Sequence, residues 1–138
     1  MYYIRAVMKN NIFNLTKLVY YFSLLVLLIL YLFPGSLIGY FLYGNSGQQP
    51  NLITNPIGTS INHLIFFSYI TVLAIIVRLR IKNIFTNYLF ILFISCVLEI
   101  SHLIIPNRAF EFYDLIANFT GVVIILLLNS FIKWRKHL

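Results

Sequence analysis

Every acidic residue of this chain, Glu99, Glu111 and Asp114, falls between positions 99 and 114, in company with His102, Arg108 and, just beyond, Asn118. In an apolar chain such a gathering is informative, because an ionisable group away from water costs a few kcal/mol unless it finds a partner. Glu99 and His102 are three residues apart and share one helix face. Asp114 and Asn118 are four apart and share another, with Gly121 a further turn along. His63 opens an earlier apolar run and belongs at the same level. Two chemistries remain open for these six residues. One is a buried network that fixes helix register, in which Arg108 neutralises Glu99 or Asp114 and Asn118 bonds backbone. The other is a pocket in which Arg108 holds a phosphate or carboxylate while the carboxylates orient it or carry a proton. A metal set of His63, His102 and Glu99 matches zinc donor types, but neither a second Glu-x-x-His nor an H-E-x-x-H accompanies it. No bound metal or cofactor is expected. Ser95, Cys96 and Ser101 lie near Glu99 without a recognisable nucleophile–base motif, and small residues in such a helix pack, so no catalytic residue is expected either.

The elements that must position these residues follow from composition. Of 138 residues, 61% are hydrophobic and 9% charged, against about 25% charged in a soluble domain. No Lys, Arg, Asp or Glu occurs from Leu18 through Val77. The solvent for much of this chain is lipid. The spacing predicts an all-α membrane protein, a single domain over 1–138 in which four transmembrane helices form a bundle. The spans are expected at about 18–33, 61–77, 84–105 and 115–132, with an external loop at 34–60. The third span, stopped by Pro106, would bury Glu99 about 9 Å below its outer end.

The net charge of +7 does not form a nucleic-acid patch. Nine of the ten basic residues flank apolar runs in three groups: Arg5, Lys9 and Lys17; Arg78, Arg80 and Lys82; Lys133, Arg135 and Lys136. By the positive-inside rule both termini are cytoplasmic, with Trp134, Tyr20, Tyr21 and Tyr88 as interfacial anchors on that side. Residues Gly44 to Thr59, rich in Gly, Asn, Gln and Pro and free of charge, read as external loop. Gly35 and Gly39 have the small-xxx-small spacing of close helix packing and also fit a plain loop. Met1 to Asn14 reads as a short amphipathic helix on the inner surface or as an anionic-lipid tether. No A-x-A-like site follows the first apolar run, which predicts an uncleaved anchor. Cys96, the only cysteine, can form no internal disulfide.

The segment Leu98 to Gly121 resembles the signature of the VanZ-like membrane proteins: Glu99, a polar residue three on, Pro106-x-Arg108, then Asp114, Asn118 and Gly121. His63, followed by Leu64, Ile65, Phe66 and Phe67, is similar to the family's histidine at the start of its second helix. The resemblance covers about 60–128. It departs at His102, where the family has Gln, so no shared metal role at that position is implied. It departs again before His63, where Thr59, Ser60, Ile61 and Asn62 replace a basic residue, so the anion site implied here is weaker or altered. The resemblance implies a small bacterial inner-membrane protein of a family associated with glycopeptide resistance, and no established enzyme. The expected function is non-catalytic engagement of a cell-envelope or lipid component through an outer-leaflet polar pocket; membrane lipids are the expected partners. The size of the chain also suits an accessory subunit of a larger membrane complex.

Overall fold

The computed structural model describes residues 2–48 and 60–136. Helix accounts for 78% of the structure, and no strand occurs among the described residues. In chain order the elements are α1 (Tyr2–Leu32), α2 (Leu37–Tyr43), α3 (Ser60–Arg78), a 3-10 turn (Ile84–Thr86), α4 (Tyr88–Ser101) and α5 (Phe112–Arg135). Three segments are long and apolar enough to cross a membrane: Lys9–Leu32, Ser60–Arg78 and Phe112–Arg135. The fourth apolar helix, Tyr88–Ser101, is shorter.

The expected span at 18–33 sits within a helix that continues unbroken to Tyr2, so the N-terminal amphipathic segment is an extension of α1 and not a separate element. The expected loop at 34–60 contains α2; its residues 49–59 lie outside the described residues. Ser36 opens α2 by accepting the Gly39 N–H, and Gly44, in the left-handed conformation, closes it. That pairing of a serine N-cap with a left-handed glycine makes a short helix in a stretch read as loop.

The largest departure is the third span, expected to run from 84 to 105. It divides into the 3-10 turn and α4, which ends at Ser101. A proline ring in a continuing helix would meet the carbonyl four residues earlier, here His102. Residues 102–104 therefore tighten into i→i+3 turns, and Asn107 adopts a positive φ of 56°. Glu99 consequently lies in the last turn of α4, not well below its end.

The chain turns back through tight joints at its basic end. Asn83 and Thr86 cap one another reciprocally, and buried Thr86 donates to the Ile81 carbonyl at 2.9 Å while its own carbonyl accepts from Arg78 at 3.0 Å. Arg78 also covers the Tyr88 ring, 4.9 Å from its centroid. This joint is pinned to α1: the Tyr20 hydroxyl donates to the Phe85 carbonyl, Asn83 to the Tyr21 hydroxyl at 2.8 Å, and Arg80 to Asn10 at 3.1 Å.

The core is one cluster of Tyr20, Leu27, Tyr31, Phe67, Ile70, Ala74, Val77, Ile91, Leu98 and Val122. The opposite faces expose Phe22, Leu25, Leu89, Phe93 and Leu127. A surface so uniformly apolar suits hydrocarbon. The most extensive helix pairing is α3 against α5, which run parallel and are brought together at Gly121, packed on the α3 backbone at Leu64 and Ser68. Among the described residues, the nearest atoms to a Cβ at Gly35 or Gly39 belong to Ser36, Ser46 and Gln48 and not to another long helix. Both glycines back onto the Ser46 to Gln48 segment, where a Cβ at Gly39 would clash with the Gln48 carbonyl oxygen.

Candidate functional site

The polar residues converge where α1 and α4 end and α3 and α5 begin. Burial of α4 at Ile91, Ser95, Leu98 and Glu99, a stripe of three- and four-residue steps, turns Glu99 inward. The same logic on α5, with Asp114, Ala117, Asn118 and Gly121 buried, turns the other polar pair inward. Between them stands His63, in the first turn of α3. Its Nε2 lies 3.4 Å from Asp114 Oδ2, and its Nδ1 lies 3.7 Å from Glu99 Oε2. Glu99 and Asp114 are fully or almost fully buried.

Around this centre the hydrogen bonds have a definite sense. Asn118 Nδ2 donates to the Ser95 carbonyl at 3.2 Å, which leaves its Oδ1 as the acceptor facing inward. Tyr31 donates to that oxygen at 2.9 Å and lies 2.8 Å from His63 Nδ1. His63 Nδ1 is also 3.1 Å from Asn118 Oδ1. With the tyrosine proton committed to Asn118, His63 Nδ1 is the donor in this trio. Ser60 donates to Asp114 Oδ1. Glu99 Oε1 accepts from the Glu111 backbone N–H at 3.3 Å and meets His102 Nδ1 at 3.2 Å. Glu99 Oε2 and His102 Nε2 are buried with no hydrogen-bond partner among the described residues.

His63, Glu99, His102, Asp114 and Asn118 are thus brought together. Arg108 is not paired as expected. Among the described residues no ion pair joins it to either carboxylate; it donates through Nε to the Phe33 carbonyl at 3.2 Å and through Nη2 to the Leu30 carbonyl. The C-terminal carbonyls of α1 have no intrahelical partners and carry the negative end of the helix dipole, and α1 has no basic residue of its own in its last turn. Arg108 supplies one from a distant loop. Partial burial draws its guanidinium below the usual value, opposed by Tyr31 and Glu99. Glu111, at the N-terminus of α5, has its carboxyl raised by partial burial and then by the nearby Asp114 and Glu99 charges.

Next to this cluster is a cavity of about 130 Å³. Leu27, Leu30, Leu37, Ile38 and Phe66 supply an apolar wall, and Tyr31, Asn62, His63, His102 and Arg108 a polar one. At about 30 Å³ per water it has room for a small headgroup or some four waters.

Two participants escaped the reading of the sequence: Tyr31 and Ser60. Tyr31 stacks on His102, with ring centroids 5.3 Å apart, and links α1 to both α3 and α5. Its signal was present as a stripe, since Tyr20, Ser23, Leu27 and Tyr31 recur at helical spacing and all are buried. Compared with protein-family models, with curated proteins and with solved structures, the chain matches none.

Proposed function

We propose that this chain is a VanZ-like protein of the bacterial inner membrane, spanning the bilayer four times with both termini cytoplasmic, and that its outer-leaflet cavity receives the anionic head of an amphipathic envelope component. The observation that carries this reading is the two-sided lining of the cavity: apolar side chains for the start of a lipid tail, and Arg108, His63, His102 and Asn62 for a head. Arg108 uses two donors on α1, and a guanidinium has five. The remainder suit a phosphate or carboxylate oxygen.

Four crossings are supported by the helix directions and by charge. Helix α4 is about 21 Å long at 1.5 Å per residue, short of a hydrocarbon core of about 30 Å. The 3-10 turn before it and the tight turns after it complete the crossing; irregular backbone at that depth is tolerated where protein covers it. The contact of Arg80 with Asn10 sets the basic joint beside the start of α1, the arrangement that positive-inside charge favours. The VanZ-like assignment rests on the spacing of Glu99, Pro106, Arg108, Asp114, Asn118 and Gly121.

Orientation is checked by labelling intact cells with a membrane-impermeant maleimide. With Cys96 replaced by serine, Gln48→Cys is expected to react at once and Lys82→Cys only after permeabilisation; the reverse pattern would refute the topology. Pocket occupancy is checked by native mass spectrometry of the protein released from membranes. The wild type is expected to retain an anionic amphiphile, and Arg108→Ala to retain at least about tenfold less at comparable abundance. Equal retention by the two removes the cavity as the binding site.

A further inference from the structure

We propose that His63, Glu99 and Asp114 form a binding site for one divalent transition-metal cation, of the zinc or manganese type. This site differs from the His63, His102 and Glu99 set suggested by residue type, because His102 is turned to support Glu99 Oε1 while Asp114 takes the place beside His63. One donor atom from each of the three residues can be chosen so that all lie within 4.8 Å of one another.

Three observations converge on a cation. The first is the tautomer. Asn118 Oδ1 and the Tyr31 hydroxyl together make His63 Nδ1 a donor, so in its neutral form the ring presents the Nε2 lone pair to the Asp114 carboxylate. Two electron-rich atoms facing each other repel unless something positive lies between them. Their 3.4 Å separation exceeds the usual N–H···O distance and matches the spacing of about 3.4 Å between two ligands of a tetrahedral metal with bonds of about 2.0–2.1 Å.

The second is the unsatisfied oxygen. Glu99 is 0% exposed, and its Oε2, 3.7 Å from His63 Nδ1, has no hydrogen-bond partner among the described residues. Its other oxygen is held by the Glu111 N–H and His102, the outer support that orients a carboxylate ligand. His63 has equivalent support, its Nδ1–H directed at Tyr31 and Asn118 oxygens.

The third is charge. Two buried carboxylates face one imidazole, and among the described residues Arg108 makes no ion pair with either of them and donates to α1 carbonyls. A divalent cation with a neutral imidazole and two carboxylates closes the charge of these three residues and the ion at zero. One nitrogen and two oxygens suit Zn²⁺ or Mn²⁺ over a thiophilic ion. The 4.8 Å spread of the donors has to close by up to about 1.4 Å to reach the ligand spacing of about 3.4 Å. The inference does not depend on what fills the neighbouring cavity.

The test uses the full chain without a polyhistidine tag, stripped with chelator in detergent, re-equilibrated with Zn²⁺ or Mn²⁺ and assayed for bound metal. About one ion per chain is expected, with a higher melting temperature on loading. Asp114→Asn and Glu99→Gln, checked for native helicity, are expected to bind at least about tenfold more weakly. Cys96→Ser, which removes the only thiol, is expected to bind as the wild type does. Less than about 0.1 ion per chain under saturating metal, or undiminished binding in Asp114→Asn, overturns the proposal. Should both carboxamide variants fail to fold, cobalt loading of the wild type decides: d–d bands of imidazole–carboxylate coordination support the site, and the spectrum of aqueous cobalt refutes it.

Discussion

Replacing Asn118 with leucine is expected to destabilise the folded bundle by about 2–4 kcal/mol, although the substitution adds apolar surface and a better helix former. Asn118 is where the four long helices meet: it sits on α5, donates to Ser95 on α4, and accepts from Tyr31 on α1 beside His63 on α3. Leucine fills a similar volume but leaves a carbonyl, a phenol and an imidazole N–H without that partner. Each such bond inside a membrane contributes about 0.6–2 kcal/mol, and a buried group left unpaired costs about 1–3 kcal/mol. Reversible unfolding in mixed micelles gives the number. If Asn118 acts as a hub, Tyr31→Phe combined with Asn118→Leu costs less than the sum of the two alone, because both remove the same bond. Additive losses, or a total below about 0.5 kcal/mol, would show that the four helices are held by packing alone.

The parts of this structure legible in the sequence are those governed by a constraint acting on whole segments. Lipid demands a continuous apolar run, so the helices around 18–33, 61–77 and 115–132 could be read from hydropathy. A helix demands that residues three or four apart share a face, so Glu99 with His102 and Asp114 with Asn118 could be paired before any coordinates. What escaped depended on contacts distant in the chain. The attraction of opposite charges puts Arg108 on a carboxylate in the network reading of the sequence, yet the end of α1 offers it two backbone carbonyls some 75 residues away. Neutralising Glu99 was a matter of charge; capping α1 was a matter of geometry, and the loop at 102–111 decides which the guanidinium reaches. Tyr31 was read as one more residue of an apolar run, since a single hydroxyl scarcely alters hydropathy. The early end of α4 turned on which residue a proline disturbs: Pro106 acts four positions back, at His102, and so lifts Glu99 into the polar layer.

Gly121 provides the second large effect, and here the sign of the change is the test. On an isolated helix, Gly→Ala stabilises by about 1 kcal/mol, so a glycine with open space around it should tolerate or welcome alanine. A Cβ at position 121 would instead lie 2.6 Å from the Leu64 carbonyl oxygen and 3.2 Å from the Ser68 amide nitrogen. Both are backbone atoms of α3, which no rotamer change can withdraw. Ser68 also donates to the Gly121 carbonyl at 3.2 Å, a bond that requires the same close approach. Relief is possible only by separating α3 from α5, the pair that carries His63 on one side and Asp114 and Asn118 on the other. Overpacking of this kind costs about 1–3 kcal/mol, enough to outweigh the gain in propensity. Gly121→Ala is therefore expected to lower stability by about 1–2 kcal/mol, and Gly121→Leu to abolish the compact fold. A second readout follows from the position of the contact, about two turns along α5 from Asp114: Gly121→Ala should loosen the His63–Asp114 approach and weaken metal retention while helicity stays native. An alanine variant more stable than the wild type would refute the close α3–α5 contact at Gly121.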